Sequence, residues 1–179
     1  MFISTSKSLL VVAALAATLP AAAATFTFSA VLSGANEFPA NASTATGNTV
    51  VTFDDALSTV TVGVTFAGLS SAASAAHIHC CSAPGANSGV AMAMIGFPSS
   101  TGTTYNAVLT VFNGANTFAS VLAGAQAGLT YVNVHNATFP GGELRGNLMP
   151  IPEASTYAMM LAGLAAVGAL ARRRQRRPI

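Results

Sequence analysis

The residues of this chain best suited to chemistry are its three histidines, and all three fall in two short segments. Ala75-Ala76-His77-Ile78-His79-Cys80-Cys81 carries two of them, and Tyr131-Val132-Asn133-Val134-His135 carries the third. Both segments alternate in the manner of β-strands, where side chains two apart share a face. His77 and His79 therefore point together while Ile78 points into the other layer. Val132 and Val134 share one face, with Tyr131, Asn133 and His135 on the opposite one. If the two strands are neighbours, three imidazoles converge on one spot. Three neutral imidazoles suit copper or zinc, and copper is the candidate cofactor. Metal-bound histidines need partners that fix the ring tautomer; Glu37, Tyr131, Asn133 and Glu143 are the polar groups available.

A second reading of the same residues needs no metal. His77, His79, Glu37, Glu143 and Arg145 then form a buried hydrogen-bonded network that locks loops onto the fold. Glu143 and Arg145, two apart, share a face in this reading and build a charge-assisted cluster. Both readings put Tyr131 and Glu143 beside the rings. They differ in whether ring nitrogens face one another or bond to Glu37, Glu143 and the backbone.

Cys80 and Cys81 follow the His pair directly. An even cysteine count in an exported protein suggests a disulfide, yet adjacent cysteines close only a small ring. Thiolate ligands beside His79 and pairing between molecules stay open. Met92 and Met94 share a strand face and offer soft thioethers to Cu(I), although core packing suits them better. Nucleophilic catalysis has little support, since the chain has no Gly-x-Ser-x-Gly elbow and no phosphate-cradling glycine motif. Glu37 and Glu143 would be a carboxylate pair for glycoside hydrolysis, but the chain has no Trp against which to stack a sugar. The expectation is a non-enzymatic protein.

The elements that must position these residues follow from composition and period. The 179 residues suffice for one domain with terminal extras. Hydrophobic residues make up 52% and charged residues only 7%, against roughly 25% charged in an ordinary soluble domain. Between Thr25 and Pro150 the charges are Glu37, Asp54, Asp55, Glu143 and Arg145, a net of −3. The formal +2 of the chain rests on Arg172, Arg173, Arg174, Arg176 and Arg177 at its end. Nucleic-acid binding by the folded part is thereby excluded, because that needs Lys and Arg to neutralise phosphates.

Within 25–150 the dominant period is two. Strands are predicted at Thr25–Leu32, Gly47–Phe53, Ser58–Phe66, His77–His79, Val90–Ile95, Thr104–Phe112, Leu129–His135 and Glu143–Met149. Asp54–Leu57 reads as a hairpin turn, Ser82–Gly89 as a loop, and Asn116–Ala127 as the one short helix. The prediction is an all-β, antiparallel Greek-key sandwich or barrel of about eight strands.

The ends carry different signals. Lys7, the apolar run Leu9–Ala17 and Ala22-Ala23-Ala24 read as a signal peptide, 1–24, cut by signal peptidase before Thr25. At the other end Ile151-Pro152-Glu153-Ala154-Ser155-Thr156 precedes an apolar run, Tyr157–Ala171, and then the arginines. About fifteen Ala- and Gly-rich residues make a marginal transmembrane helix, since a span needs about twenty. Arginines after it stay cytoplasmic, leaving the domain outside the inner membrane. This order of Pro152-Glu153, apolar helix and basic tail over 151–179 resembles the PEP-CTERM sorting signal, with Ala154 in place of the usual second proline. The resemblance implies a transient inner-membrane anchor and processing by exosortase. It further implies delivery to the cell surface or extracellular matrix of a Gram-negative bacterium, and association with exopolysaccharide.

Four blocks of the domain, 25–150, carry a second resemblance. Leu32-Ser33-Gly34-Ala35-Asn36-Glu37-Phe38-Pro39, Ala75-Ala76-His77-Ile78-His79, Tyr131-Val132-Asn133-Val134-His135 and Pro140-Gly141-Gly142-Glu143-Leu144-Arg145-Gly146 resemble the signature blocks of the CHRD domain. That resemblance implies a β-sandwich or barrel, and says less about activity. A fainter likeness is to copper–zinc superoxide dismutase, which also sets His-x-His on one strand and a third His on a later one. No further His serves as a bridging or zinc ligand here, and Arg145 at most imitates a guiding arginine. Three functions follow as expectations: an exported, non-enzymatic surface or matrix component, an extracytoplasmic copper-binding protein, and a dismutase-like redox enzyme.

Overall fold

The computed structural model describes residues 24–152 and 154–175. Alternation becomes strand throughout the domain. The elements in chain order are β1 (Thr25–Ser33), β2 (Thr46–Asp54), β3 (Thr59–Ala67), β4 (Ala73–Cys80), β5 (Val90–Ala93), β6 (Thr103–Leu109), α1 (Phe118–Gln126), β7 (Thr130–Asn136), β8 (Leu144–Asn147), β9 (Met149–Pro150) and α2 (Ala154–Gln175). β3 shows why the pattern works. Val60, Val62, Val64 and Phe66 are all buried, while the Thr and Gly between them line the outer face. Burying a side chain of this size contributes roughly 1.5–3 kcal/mol, and a slip of one residue would turn all four outward.

Eight strands form one antiparallel sheet in the order β5-β4-β7-β8-β1-β2-β3-β6, with β9 beside β1. The steps from β3 to β4, β5 to β6 and β6 to β7 join strands that are not neighbours, as in a Greek key. The sheet curls until its two edges almost meet. The Asn113 N–H donates to Ala91 O at 2.8 Å, and the Tyr105 hydroxyl donates to Ile95 O at 2.9 Å. The result is a nearly closed barrel filled by Phe28, Leu32, Val51, Phe53, Val62, Ile78, Val132, Val134 and Leu144. Helix α1, begun by a reciprocal Thr117/Ser120 capping box, packs Phe118 edge-on against Phe53 and buries Val121 and Ala125.

Several boundaries differ from the sequence expectation: β4 begins at Ala73 rather than His77, and β5 ends at Ala93 rather than Ile95. The strand predicted at Thr104–Phe112 ends at Leu109, which pairs with Val60; Phe112 instead packs against Phe118. The single strand predicted at Glu143–Met149 divides into β8 and β9. Between them Leu148 is fully buried and its N–H donates to Thr130 O, so the chain leaves β7 and joins β1. The C-terminal apolar run is helical as α2, but among the described residues no helix is long and apolar enough to cross a membrane. The transmembrane helix expected there is corrected to a helix. Its apolar run is short, and arginines occupy its last turn. The signal peptide apart from Ala24, Glu153, Arg176 and Arg177 lie outside the described residues.

Candidate metal centre

The site is built by the register of three adjacent strands. β4 and β7 run antiparallel with Ala75 opposite His135, His77 opposite Asn133 and His79 opposite Tyr131. β8 continues the rows, with Arg145 opposite Asn133 and Asn147 opposite Tyr131. Directly opposed residues share a face. His77, His79, Tyr131, Asn133, His135, Arg145 and Asn147 therefore form one polar layer on the outer side of the barrel wall. Ile78, Val132, Val134 and Leu144 face the core behind them.

Within that layer the three rings face one another. His77 Nδ1 lies 3.1 Å from His135 Nε2, and ring centroids are 4.9 Å apart for His77–His135 and 5.6 Å for His77–His79. One ligand nitrogen from each ring lies within 4.8 Å of the other two. Bonds of about 2.0–2.1 Å to one ion put tetrahedral ligands about 3.4 Å apart, so a pair at the 4.8 Å limit must close by about 1.4 Å.

Two of the tautomers are held by the backbone. His79 Nδ1–H donates to Ser88 O at 2.8 Å, and His135 Nδ1–H donates to Pro140 O at 3.0 Å. A carbonyl only accepts, so each Nε2 keeps its lone pair. His79 Nε2 is buried without a protein partner, and His135 Nε2 is the atom turned to His77. Metal-ligating histidines characteristically carry this second bond.

The rings are also neutral. Burial pushes His77 down to about 4, and the nearby His135 and His79 push it the same way. Burial lowers His79 and His135 too, outweighing the backbone carbonyls and, at His79, the nearby Asn133 side chain, which favour their cations. At neutral pH all three offer lone pairs rather than charge.

The layer is roofed by the Ser82–Gly89 loop, clamped from below. Arg145, with no exposed surface, donates to Asn87 Oδ1 at 2.8 Å and Ala86 O at 2.6 Å. Its guanidinium carbon lies 3.4 Å from the Tyr131 ring centroid, a cation–π contact. The other face of Tyr131 stacks on His79 at 4.7 Å and 2°. The Ser88 N–H donates to the Tyr131 hydroxyl at 3.2 Å, holding Ser88 where its carbonyl meets His79.

Glu37 closes the other side. Burial pushes its carboxyl up to about 7, opposed by the Arg145 charge. The carboxylate occupies the place where a Cβ of Gly142 would stand, beside Asn133. Gly142, at φ 132°, is glycine for both reasons. A cleft of about 370 Å³ runs between Glu37–Asn41 and Thr138–Gly142, with Asn87 at its edge.

Glu143 is the correction to the expected set. It is fully buried, but it takes the Ser43 hydroxyl at 2.6 Å, the Ser70 N–H at 3.0 Å, the Ser70 hydroxyl at 3.0 Å and the Asn136 amide. Asn136 shares the face of Val132 and Val134, opposite His135, so Glu143 serves the far side of the sheet. It builds no cluster with Arg145, because Glu143 precedes β8 and the two-residue parity does not reach it. Met92 and Met94 lie in the core, Met92 opposite Ile78, and their sulfurs face away from the imidazoles. Cys80 and Cys81 are joined to each other as a disulfide. The residues that sequence reasoning missed are Ser88, Pro140, Ala86 and Asn87. Three of them act through backbone carbonyls, which side-chain type does not encode.

Fold and site together define a β-barrel domain with a polar, histidine-bearing layer on one wall. Residues 28–148 match the CHRD domain, and residues 150–177 match the PEP-CTERM protein-sorting motif. The chain belongs to the CHRD-domain family. Its sorting motif makes it an exported protein processed by exosortase. No curated protein and no solved structure matches the chain.

Proposed function

We propose that this protein is a non-enzymatic component of the cell surface or extracellular matrix of a Gram-negative cell, and that its domain holds one copper ion on His77, His79 and His135. The observation that carries the metal reading is the pair of carbonyl-held imidazoles, His79 and His135, with His79 Nε2 unpartnered and His135 Nε2 turned to His77 Nδ1 at 3.1 Å. Among divalent first-row metals a site of neutral nitrogen ligands binds copper most tightly. The chain's own part is to keep the rings neutral, oriented and close. The sorting motif supports the surface reading, and exopolysaccharide is the matrix such a protein would join.

Elemental analysis of the exported protein tests the metal. The expected result is one copper per chain, lost in His77→Ala/His135→Ala with the melting temperature within a few degrees of wild type. Metal-free wild type after copper loading and dialysis overturns the reading. Superoxide dismutation by the loaded protein is expected to vanish once a chelator masks unbound copper; activity that persists with the chelator would favour the enzyme. Changing Pro152 and Glu153 to Ala should leave the chain at full length and associated with the cell. Equal release of wild type and variant would count against exosortase delivery.

A further inference from the structure

The Cys80–Cys81 disulfide plays no part in the three-histidine site. Cys80 follows the parity of Ile78 and points to the core face of β4. The two sulfurs live in different surroundings. Cys80 is 7% exposed, whereas Cys81 is exposed at the start of the roof loop. The buried Thr130 hydroxyl donates to Cys80 Sγ at 3.4 Å. Both sulfurs lie against α1, 3.9 and 3.8 Å from Ser120 O. They also rest on Gly124, where a Cβ would overlap both of them and the Thr130 hydroxyl. One sulfur belongs to an exposed residue at the mouth of a loop, and the other sits beside a donor ready to stabilise negative charge.

We infer that Cys80–Cys81 is a thiol–disulfide exchange site for an extracytoplasmic dithiol, with Cys81 the sulfur attacked and Cys80 the sulfur that leaves. A thiolate of the dithiol attacks Cys81 Sγ, forming a mixed disulfide and breaking the Cys80–Cys81 bond. Cys80 departs with the electron pair as a thiolate, into the hydrogen bond from Thr130. The dithiol's second sulfur then attacks its own sulfur in the mixed disulfide and releases Cys81. Its two protons end on Cys80 and Cys81, whose S–H groups have Ser120 O within reach. Two electrons pass from the dithiol, which becomes a disulfide, to the protein. Gly124 leaves room for the bonded pair, and two separate thiols need more. The site stands independently of whether the histidines hold copper.

Full-length protein in detergent, without denaturant, is treated with glutathione and quenched with N-ethylmaleimide. Fragment mass spectrometry is expected to find glutathione on Cys81 and maleimide on Cys80. Dithiothreitol should reduce the pair completely under the same conditions. Thr130→Val should slow that reduction about tenfold by removing a hydrogen bond to the leaving thiolate, and Thr130→Ser should restore it. Glutathione on Cys80, or reduction only after denaturant is added, overturns the assignment in wild type whatever the variants do. An unchanged rate in a folded Thr130→Val protein overturns the role of Thr130.

Discussion

β7 ends in two consecutive residues, His135 and Asn136, that point to opposite sides of one sheet and into two polar regions built on different principles. On the Asn136 side, Glu143 is closed off by the Ser43, Ser70 and Asn136 donors, which tie the β1–β2 and β3–β4 connections to β7. On the His135 side, buried polar atoms of Glu37, His79, Ser88, Asn133, Arg145 and Asn147 lack a partner within the protein. Buried polar groups in native proteins are nearly all bonded. A region where they are all met is a structural clasp, and one that leaves both acceptors (Glu37, His79, Asn133) and donors (Arg145, Asn147) unmet is of another kind. Position on the strand does not distinguish the two. Saturation of the hydrogen bonds does.

The largest effect should come from breaking the clasp. Glu143→Ala leaves the buried Asn136 amide and the half-buried Ser43 hydroxyl without their acceptor and should cost about 2–4 kcal/mol. Chemical denaturation of wild type and variant measures it. A loss below about 1 kcal/mol would mean the two regions are not as different as their bonding.

Glu37→Gln sharpens the other half. The Glu37 carboxyl sits at about 7 in the fold, against 4.5 unfolded. Its contribution is complete below pH 4.5 and is lost as pH rises through 7. The Gln variant should therefore be more stable than wild type at pH 8, with the gain gone by about pH 4.5. His77 works in the opposite sense, at about 4 folded against 6.5 unfolded. What it contributes is present above pH 6.5 and lost as pH falls towards 4. Thermal melts of both proteins from pH 4 to 8 separate these trends, and parallel curves for the two would remove Glu37 from the account.

The smallest effect is expected at Tyr131→Phe. It deletes the acceptor of the Ser88 N–H while keeping the stacked ring. Stability should fall by about 1 kcal/mol. Copper affinity should fall about tenfold, because the Ser88 carbonyl that orients His79 is less well held. Competition with a chelator of known affinity reads the second number. Unchanged affinity would break the link between roof loop and ring.

Most of the barrel was legible in the chain because alternation is local. Val60, Val62, Val64 and Phe66 declare a half-buried strand without reference to anything else. The histidine faces were legible for the same reason. Glu143 was misplaced because parity was extended to a residue outside β8, and its partners Ser43, Ser70 and Asn136 are ordinary polar residues scattered over the sequence. The division of the last strand at Leu148 depended on which neighbour each half would find.

What the sequence by itself determined was the period of two, hence which side chains travel together: His77 with His79, and His135 with Tyr131 and Asn133. It also determined the sorting motif, which is written in consecutive residues. Only the tertiary structure decided that β4 lies beside β7 in the register that brings His135 to His77. Only there do Ser88 O and Pro140 O meet His79 and His135. The reason is physical. Side-chain alternation is a property of each strand alone, whereas strand order is set by packing the whole core. A backbone carbonyl is the same group at every residue until the fold aims it.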